Sequence, residues 1–234
     1  MSLIKKVKTK VRYKKILKLK QNVQNNPKFL NFKTKKWQNI ILQNKKKITN
    51  SHKLNNLDQF NYFIPKFTDF FAKKFKLTLQ SKQKVSYLYG YLTKKYLKKI
   101  IGKALTKENS SYWVLKNLEM RLDSVLYKSH FVKSFREARQ LISHGHIFVN
   151  KTKIKTPSFF LVGGDIISIS KNIKPKLEKK ILKSRLLPLP PKYLQINYKI
   201  LSILYLGNIE KSNLFNQFTF WLDLKTVIEF YKNK

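Results

Sequence analysis

The chain has 234 residues, of which 51 are Lys or Arg and 11 are Asp or Glu, for a formal net charge of +40. Its 42% hydrophobic and 14% aromatic residues suffice for a core and exclude a purely disordered polycation, and the length suits one or two domains. Cysteine is absent, which excludes disulfides, thiol nucleophiles and Cys-ligated metal sites, while an unmixed charge of this size calls for a polyanionic partner, because self-repulsion opposes compaction.

Residues 1–57 read as a basic arm with no acidic residue before Asp58. Such single-sign blocks order against a polyanion, and Phe29, Phe32, Trp37 and Ile40-Ile41-Leu42 give this one apolar anchors. It is almost all Lys, whereas organelle transit peptides favour Arg and Ser, so it is read as part of the mature protein. Residues 58–120 read as the first part of a helical domain. In its aromatic opening, Phe67, Phe70, Phe71 and Phe75 fall at helical spacing, which favours a core over a base-stacking platform. The stripe Val85, Leu88, Tyr89, Leu92, Tyr96 predicts one helix from about Ser81 to Ile101, with Lys94, Lys95, Lys98 and Lys99 as a basic end near Gly102. Asn109-Ser110-Ser111 is a loop and cap before a helix through Trp113, Leu115 and Leu118.

Residues 121–170 carry the punctuation of a compact unit. A short amphipathic helix from Arg121 to His130 turns Leu122, Val125, Leu126 and Phe131 inward. Ser134-Phe-Arg-Glu137 is a capping box and starts a second helix. On it Phe135, Ala138, Leu141 and Ile142 form an apolar face, opposite a basic one made of Arg136, Arg139, Gln140 and Ser143. Gly145 suits the left-handed stop, His146 to Val149 reads as a strand, and Asn150-Lys151-Thr152-Lys153 turns into a second strand ending at Ile154. Gly163-Gly164-Asp165 precedes a third strand, Ile166 to Ser170, with Ile167 and Ile169 inward. Residues 171–192 read as a basic, Pro-rich linker, partly helical over Lys171 to Lys183 and unable to be a regular helix over Leu187 to Pro191, where Pro188, Pro190 and Pro191 lack an amide donor. Residues 193–234 alternate apolar and polar stretches, including an Ile200 to Leu206 strand or helix turn and a final element from Asp223 to Lys232. No apolar run reaches the length needed to span a bilayer.

These motifs resemble one family. RLDSVLYKSHF, ARQLISHGHIFVN and the Pro-Ser ahead of Gly-Asp-Ile-Ile are similar to the RNA-binding module of the S-four (uS-four) small-subunit ribosomal proteins. Upstream, Lys82-Gln83-Lys84-Val85 with Tyr89-Gly90 and Leu92 matches that family's Lys-Gln-Lys…Tyr-Gly helix, and Val227 to Tyr231 resembles its final segment. Lys151 departs from the Gly that the family often has after Asn150. The resemblance implies an α+β protein. Its mainly helical outer domain is built from N- and C-terminal parts, with an inserted RNA-binding module of two helices packed on a small twisted sheet. It implies a structural constituent of the small subunit that binds the 5′ domain of the rRNA early in assembly. It further implies a place lining the mRNA entrance beside the third and fifth small-subunit proteins, and no cofactor, metal or membrane.

On this reading Arg136, Arg139, Lys128 and Lys133 contact phosphates, and Ser134, Gln140, Ser143 and His144 hydrogen-bond to backbone or 2′-hydroxyls, with Arg121, Lys82, Lys84 and Arg12 as further RNA contacts. Shape and backbone readout are expected, because duplex RNA hides its base edges in a deep groove. An alternative is an RNA-modifying or ribosome-rescue factor using the same module, since Arg121-Leu122-Asp123 is also similar to the catalytic triplet of certain pseudouridine synthases. Asp123, however, sits where a helix-start acid or a partner for a nearby Arg belongs, and no Ser/His/Asp set, phosphate loop or metal-spaced cluster is present. A usage of Lys, Asn, Ile, Phe and Tyr of the kind A/T-rich codons produce points to an organelle-encoded gene, the mitochondrion first and the plastid as the alternative.

Overall fold

The computed structural model describes residues 71–182, 189–207 and 224–232, together with 19, 23, 39 and 209. The readings for the arm 1–57, Arg12 included, and for Phe67 and Phe70 lie outside these residues. The chain divides into two compact units, Met1–Leu88 with Phe218–Phe230 and Tyr89–Gln217 with Tyr231–Lys234.

The first unit contributes helix α1 (Phe71–Leu88), and its C-terminal counterpart is the last helix of the chain, Leu224–Lys232. Val85 and Tyr87 are buried on α1, and Val227 and Ile228 on the last helix. The expected aromatic core does not extend to Phe75, which is 58% exposed. The single helix expected over Ser81 to Ile101 is broken in two. Gly90 and Tyr91 both have positive φ (69° and 64°), which no helix can pass through, and the Thr93 hydroxyl then accepts from the Tyr96 amide at 3.3 Å to start a new one. Both signals, a glycine and a Thr three residues before the first buried turn, are in the sequence.

The second unit begins with that new helix, α2 (Lys94–Leu105), followed by α3 (Ser110–Glu119), α4 (Leu122–Lys128) and α5 (Phe135–Ser143). Helix α2 packs on α3, burying Leu97, Ile100, Ile101 and Ala104 with Val114, Leu115 and Leu118. Helix α4 packs on α5 through Leu122, Val125, Leu126, Ala138 and Ile142, all essentially inaccessible. Each such aliphatic side chain contributes roughly 1.5–3 kcal/mol of transfer free energy. Asn109 precedes α3 in a left-handed conformation (φ 54°) and makes no side-chain cap. At the end of α5, Gly145 takes the expected left-handed position (φ 73°).

The chain then forms β1 (Ile147–Val149), β2 (Thr152–Lys153), β3 (Ile166–Ile169), helix α6 (Lys174–Leu182), β4 (Leu194–Asn197) and β5 (Ser202–Tyr205), and closes with the last helix, α7. Asn150 and Lys151 both have positive φ (48° and 68°), so the β1–β2 turn is of the type I′ class that matches strand twist, even with Lys at its second position. The sheet is antiparallel throughout, in the order β2-β1-β3-β5-β4. Pairs Ile147↔Ile169 and Ile167↔Ile203 put one face on the core. The sequence reading ended the sheet at Ser170, yet β4 and β5 extend it. Each has period-two burial, and they are joined at a tight corner where the Asn197 side chain accepts from the Lys199 and Ile200 amides and Leu201 adopts φ 56°. The fold is therefore α+β, with helices and a five-stranded sheet in one unit.

Candidate nucleic-acid interface

Helix α5 is fixed at its start by its own sequence. Ser134 Oγ accepts from the Glu137 amide at 3.3 Å, and the Glu137 carboxylate reaches back to accept from the Lys133 amide at 3.0 Å. Phe135, at the first helical position, is buried, stacks on Tyr127 at 4.3 Å between ring centroids and meets the edge of Tyr89 at 6.1 Å. A Cβ on Gly90 would lie 2.5 Å from that of Phe135, so at φ 69° only glycine lets the turn approach the helix.

The basic face of α5 does two jobs. Arg139 is directed inward: its Nε donates to Asp123 at 2.7 Å, and its two Nη groups donate to the carbonyls of Gly90 and Tyr89 at 2.5 and 2.7 Å. Asp123, 1% exposed, also takes both nitrogens of the Arg121 fork at 2.9 and 2.8 Å. Arg121 is itself 4% exposed, with its guanidinium 4.7 Å from the centre of the Tyr96 ring. Burial alone would lower its pKa, but the hydrogen bonds and charge of Asp123 outweigh it and raise it. Arg121 and Arg139, read from the sequence as RNA contacts, both hold Asp123: one carboxylate and two guanidiniums clamp α4, α5 and the Gly90 turn together.

A second internal carboxylate, Glu119, is 1% exposed and accepts from the hydroxyls of Tyr89 at 2.6 Å and Tyr193 at 2.8 Å. Burial and then the Glu119 charge push both phenols well above their usual pKa. Lys128, another expected phosphate contact, has its ammonium 3.8 Å from this carboxylate. Sequence reasoning passed over Glu119 because nothing local marks a helix-terminal Glu as internal.

What faces outward is Lys133, Gln140, Ser143 and His144, all exposed, and Arg136, which is half-buried. Ser143 Oγ donates to the Gln140 carbonyl at 3.1 Å, and the His144 ring lies 6.1 Å from that of His146. The Arg136 guanidinium lies over the Tyr91 ring at 5.3 Å and donates to no acceptor among the described residues. Tyr91 was not picked out in the sequence, and the Gly90 turn that the Arg139 clamp holds is what brings it here. Of the other expected contacts, Lys82 lies over Phe230 at 4.5 Å, Lys84 has its pKa lowered to about 8 by burial, and Arg12 is outside the described residues.

The arrangement offers oriented cations and hydrogen-bond donors on a rigid helix, with a partial positive helix end beside them. Among the described residues no His/Cys/Asp/Glu group is arranged to hold a metal ion, and no helix is long and apolar enough to cross a membrane.

The S4 domain matches residues 120–167. Over 219 residues the chain is 31% identical to a protein of Reclinomonas americana named small ribosomal subunit protein uS4m, covering 84% of this chain and 86% of that one. Over 155 residues it is 35% identical to the uS4m of Marchantia polymorpha, covering 64% of this chain and 76% of the relative. A uS4 of Aquifex aeolicus is 43% identical over 97 residues, 41% of this chain and 46% of that relative's length.

Proposed function

The chain belongs to the uS4 family of small ribosomal subunit proteins, and we propose on that premise that it binds the 5′ domain of small-subunit rRNA early in assembly and lines the mRNA entrance beside the third and fifth small-subunit proteins. It is a structural constituent of the small subunit rather than an enzyme. Its location is the mitochondrion, in keeping with the two uS4m relatives, with the plastid as the alternative.

The observation that carries the RNA contact is the division of labour on α5. Two of the three guanidiniums in the module are tied to Asp123, whereas Arg136 rests on Tyr91 and donates to no acceptor among the described residues. A planar fork on an aromatic ring is oriented before the ligand arrives and suits a phosphate. Lys133, Gln140, Ser143 and His144 lie on or beside the same helix as point charge and hydrogen-bond donors, Lys128 is a further cation of the module, and Lys82, Lys84 and Arg12 are separate RNA contacts outside it. Asp123, covered by two guanidiniums, is no free nucleophile, which disfavours the RNA-modifying reading.

The test is binding of the purified chain to a transcript of the rRNA 5′ domain at moderate salt. Arg136→Gln and Lys133→Gln should each weaken binding about tenfold, the scale of one charge-assisted contact, and should flatten its salt dependence. Unchanged affinity and slope in the double variant would overturn the assignment.

A further inference from the structure

The sheet has one face on the core and another that nothing above uses. Burial alternates along β3, β4 and β5, so the side chains turned away from the core fall in cross-strand rows. One row, Ser168, Ser202 and Asn197, is polar, as the solvent side of an antiparallel sheet ordinarily is. The next row is not. Ile166 stands opposite Leu204, and Leu206 follows on the same side, with the strand pairing carried on by its amide, which donates to the Tyr193 carbonyl at 3.0 Å. Ile166 is 53% exposed and Leu206 39%.

These rows floor an open groove of about 300 Å³ across β3, β5 and β4. Lysines frame it. Lys171 follows β3 and Lys199 lies in the β4–β5 corner at one end, and Lys192 precedes β4 at the other. All three are exposed, and none takes part in an ion pair among the described residues. The acid beside Ile166, Asp165, is committed to the Val162 amide and the Asn150 side chain. An aliphatic floor gives a phosphate nothing to bond to. A second copy fits no better, since two chains of net charge +40 repel, and a symmetric contact would set these lysines against their own counterparts.

We propose that this groove docks a protein partner through an amphipathic helix that carries aliphatic side chains on one face and carboxylates along its margins. Three strands spaced about 4.8 Å apart present a floor about 10 Å wide, the width of one helix. The aliphatic face covers Ile166, Leu204 and Leu206, which gain by leaving water. The carboxylates meet Lys171, Lys192 and Lys199, so charge sets the orientation and the apolar row supplies the grip. This goes beyond the RNA contact on α5 and uses none of its residues.

Two measurements on the full-length chain test this. The first compares a synthetic Leu/Glu peptide of about five helical turns, in amphipathic order, with a scrambled peptide of the same composition, so that plain attraction to a polycation cancels. The ordered peptide should bind the parent about tenfold tighter than the scrambled one, and Ile166→Thr/Leu204→Thr, which keeps strand propensity, should cut that preference to about twofold or less. Ile166→Thr alone, at the more exposed position, carries the test if the double variant unfolds. The second measurement uses the absence of cysteine: Leu204→Cys gives the chain a single attachment point for a benzophenone maleimide within the assembled small subunit. Irradiation should yield an adduct with an acidic helical segment of another protein. Adducts with rRNA, with a second copy of the chain or with a segment lacking carboxylates, or no adduct, would overturn the proposal. Equal binding of ordered and scrambled peptides would overturn it too, and in every case the α5 reading stands or falls on its own test.

Discussion

Asp123→Asn isolates the charge that holds the module together. Asn keeps the size and one acceptor oxygen, so little packing changes, but Arg121, 4% exposed, loses the partner that balances it at 2.8 Å. Removing one member of a buried ion pair costs about 3–5 kcal/mol, because the survivor keeps its desolvation penalty. Arg139 has a side chain 26% exposed and two carbonyl acceptors of its own, so water and backbone relieve its share and place the total near the lower end, about 3 kcal/mol. That is a large fraction of a typical domain's stability and corresponds to a Tm loss of roughly 6–12 °C. Urea unfolding followed by circular dichroism, at a salt concentration that screens the surface charge, measures it, with m unchanged. The cycle with Arg139→Gln should show coupling above about 0.5 kcal/mol. A loss under about 1 kcal/mol for Asp123→Asn, or simple additivity in the cycle, would mean that the knot does not brace the fold.

Two further predictions follow from burial. Lys84 has its pKa lowered from 10.5 to about 8, so the unfolded chain binds more protons between those values. The folded state's penalty, of order 3 kcal/mol, is then fully present below pH 8 and relieved as pH rises toward 10.5. Lys84→Met should therefore stabilise the chain at pH 7 and have little effect near pH 10.5; equal gains at both would contradict a desolvated ammonium. His130 is held below its usual pKa of 6.5 by burial, reinforced by the Lys128 charge. The unfolded chain takes up that proton first, so stability falls as pH drops below 6.5, and His130→Asn, which tolerates the local φ of 61°, should flatten that decline in thermal melts. An unchanged acid limb would assign it to other groups.

The elements most legible in the sequence were those written in local chemistry. The Ser134 to Glu137 cap, the Gly145 stop, the Asn150-Lys151 turn and the period-two strand at Ile167 and Ile169 each need only their neighbours to be recognised, and each is present. The roles on the basic face were not legible. Arg136 and Arg139 lie three residues apart on one helix, and what separates them is distant: Arg139 meets a carboxylate 16 residues away and carbonyls 49 and 50 residues away, whereas Arg136 meets Tyr91. The same holds for β4 and β5, whose alternation was visible but whose partner, β3, was not, and for Phe75, where helical spacing of aromatics identified a face without saying that anything covers it.

The placement of the acids gives the charge imbalance its meaning. Glu119 and Asp123 are buried on tyrosines and guanidiniums, Glu137 caps α5, and Asp165 accepts from the Val162 amide and the Asn150 side chain. These four carboxylates serve local geometry, and with a net charge of +40 the chain's cations repel one another in the free protein. That repulsion is a stability deficit which a polyanion removes on binding, and mass action then stabilises the fold by RT ln(1 + [RNA]/Kd). Salt must consequently act with opposite signs on the two states: screening stabilises the free chain, while the same ions compete with the phosphates and weaken the complex. A chain built in this way carries its frame within its own sequence and leaves the balance of its surface charge to the RNA.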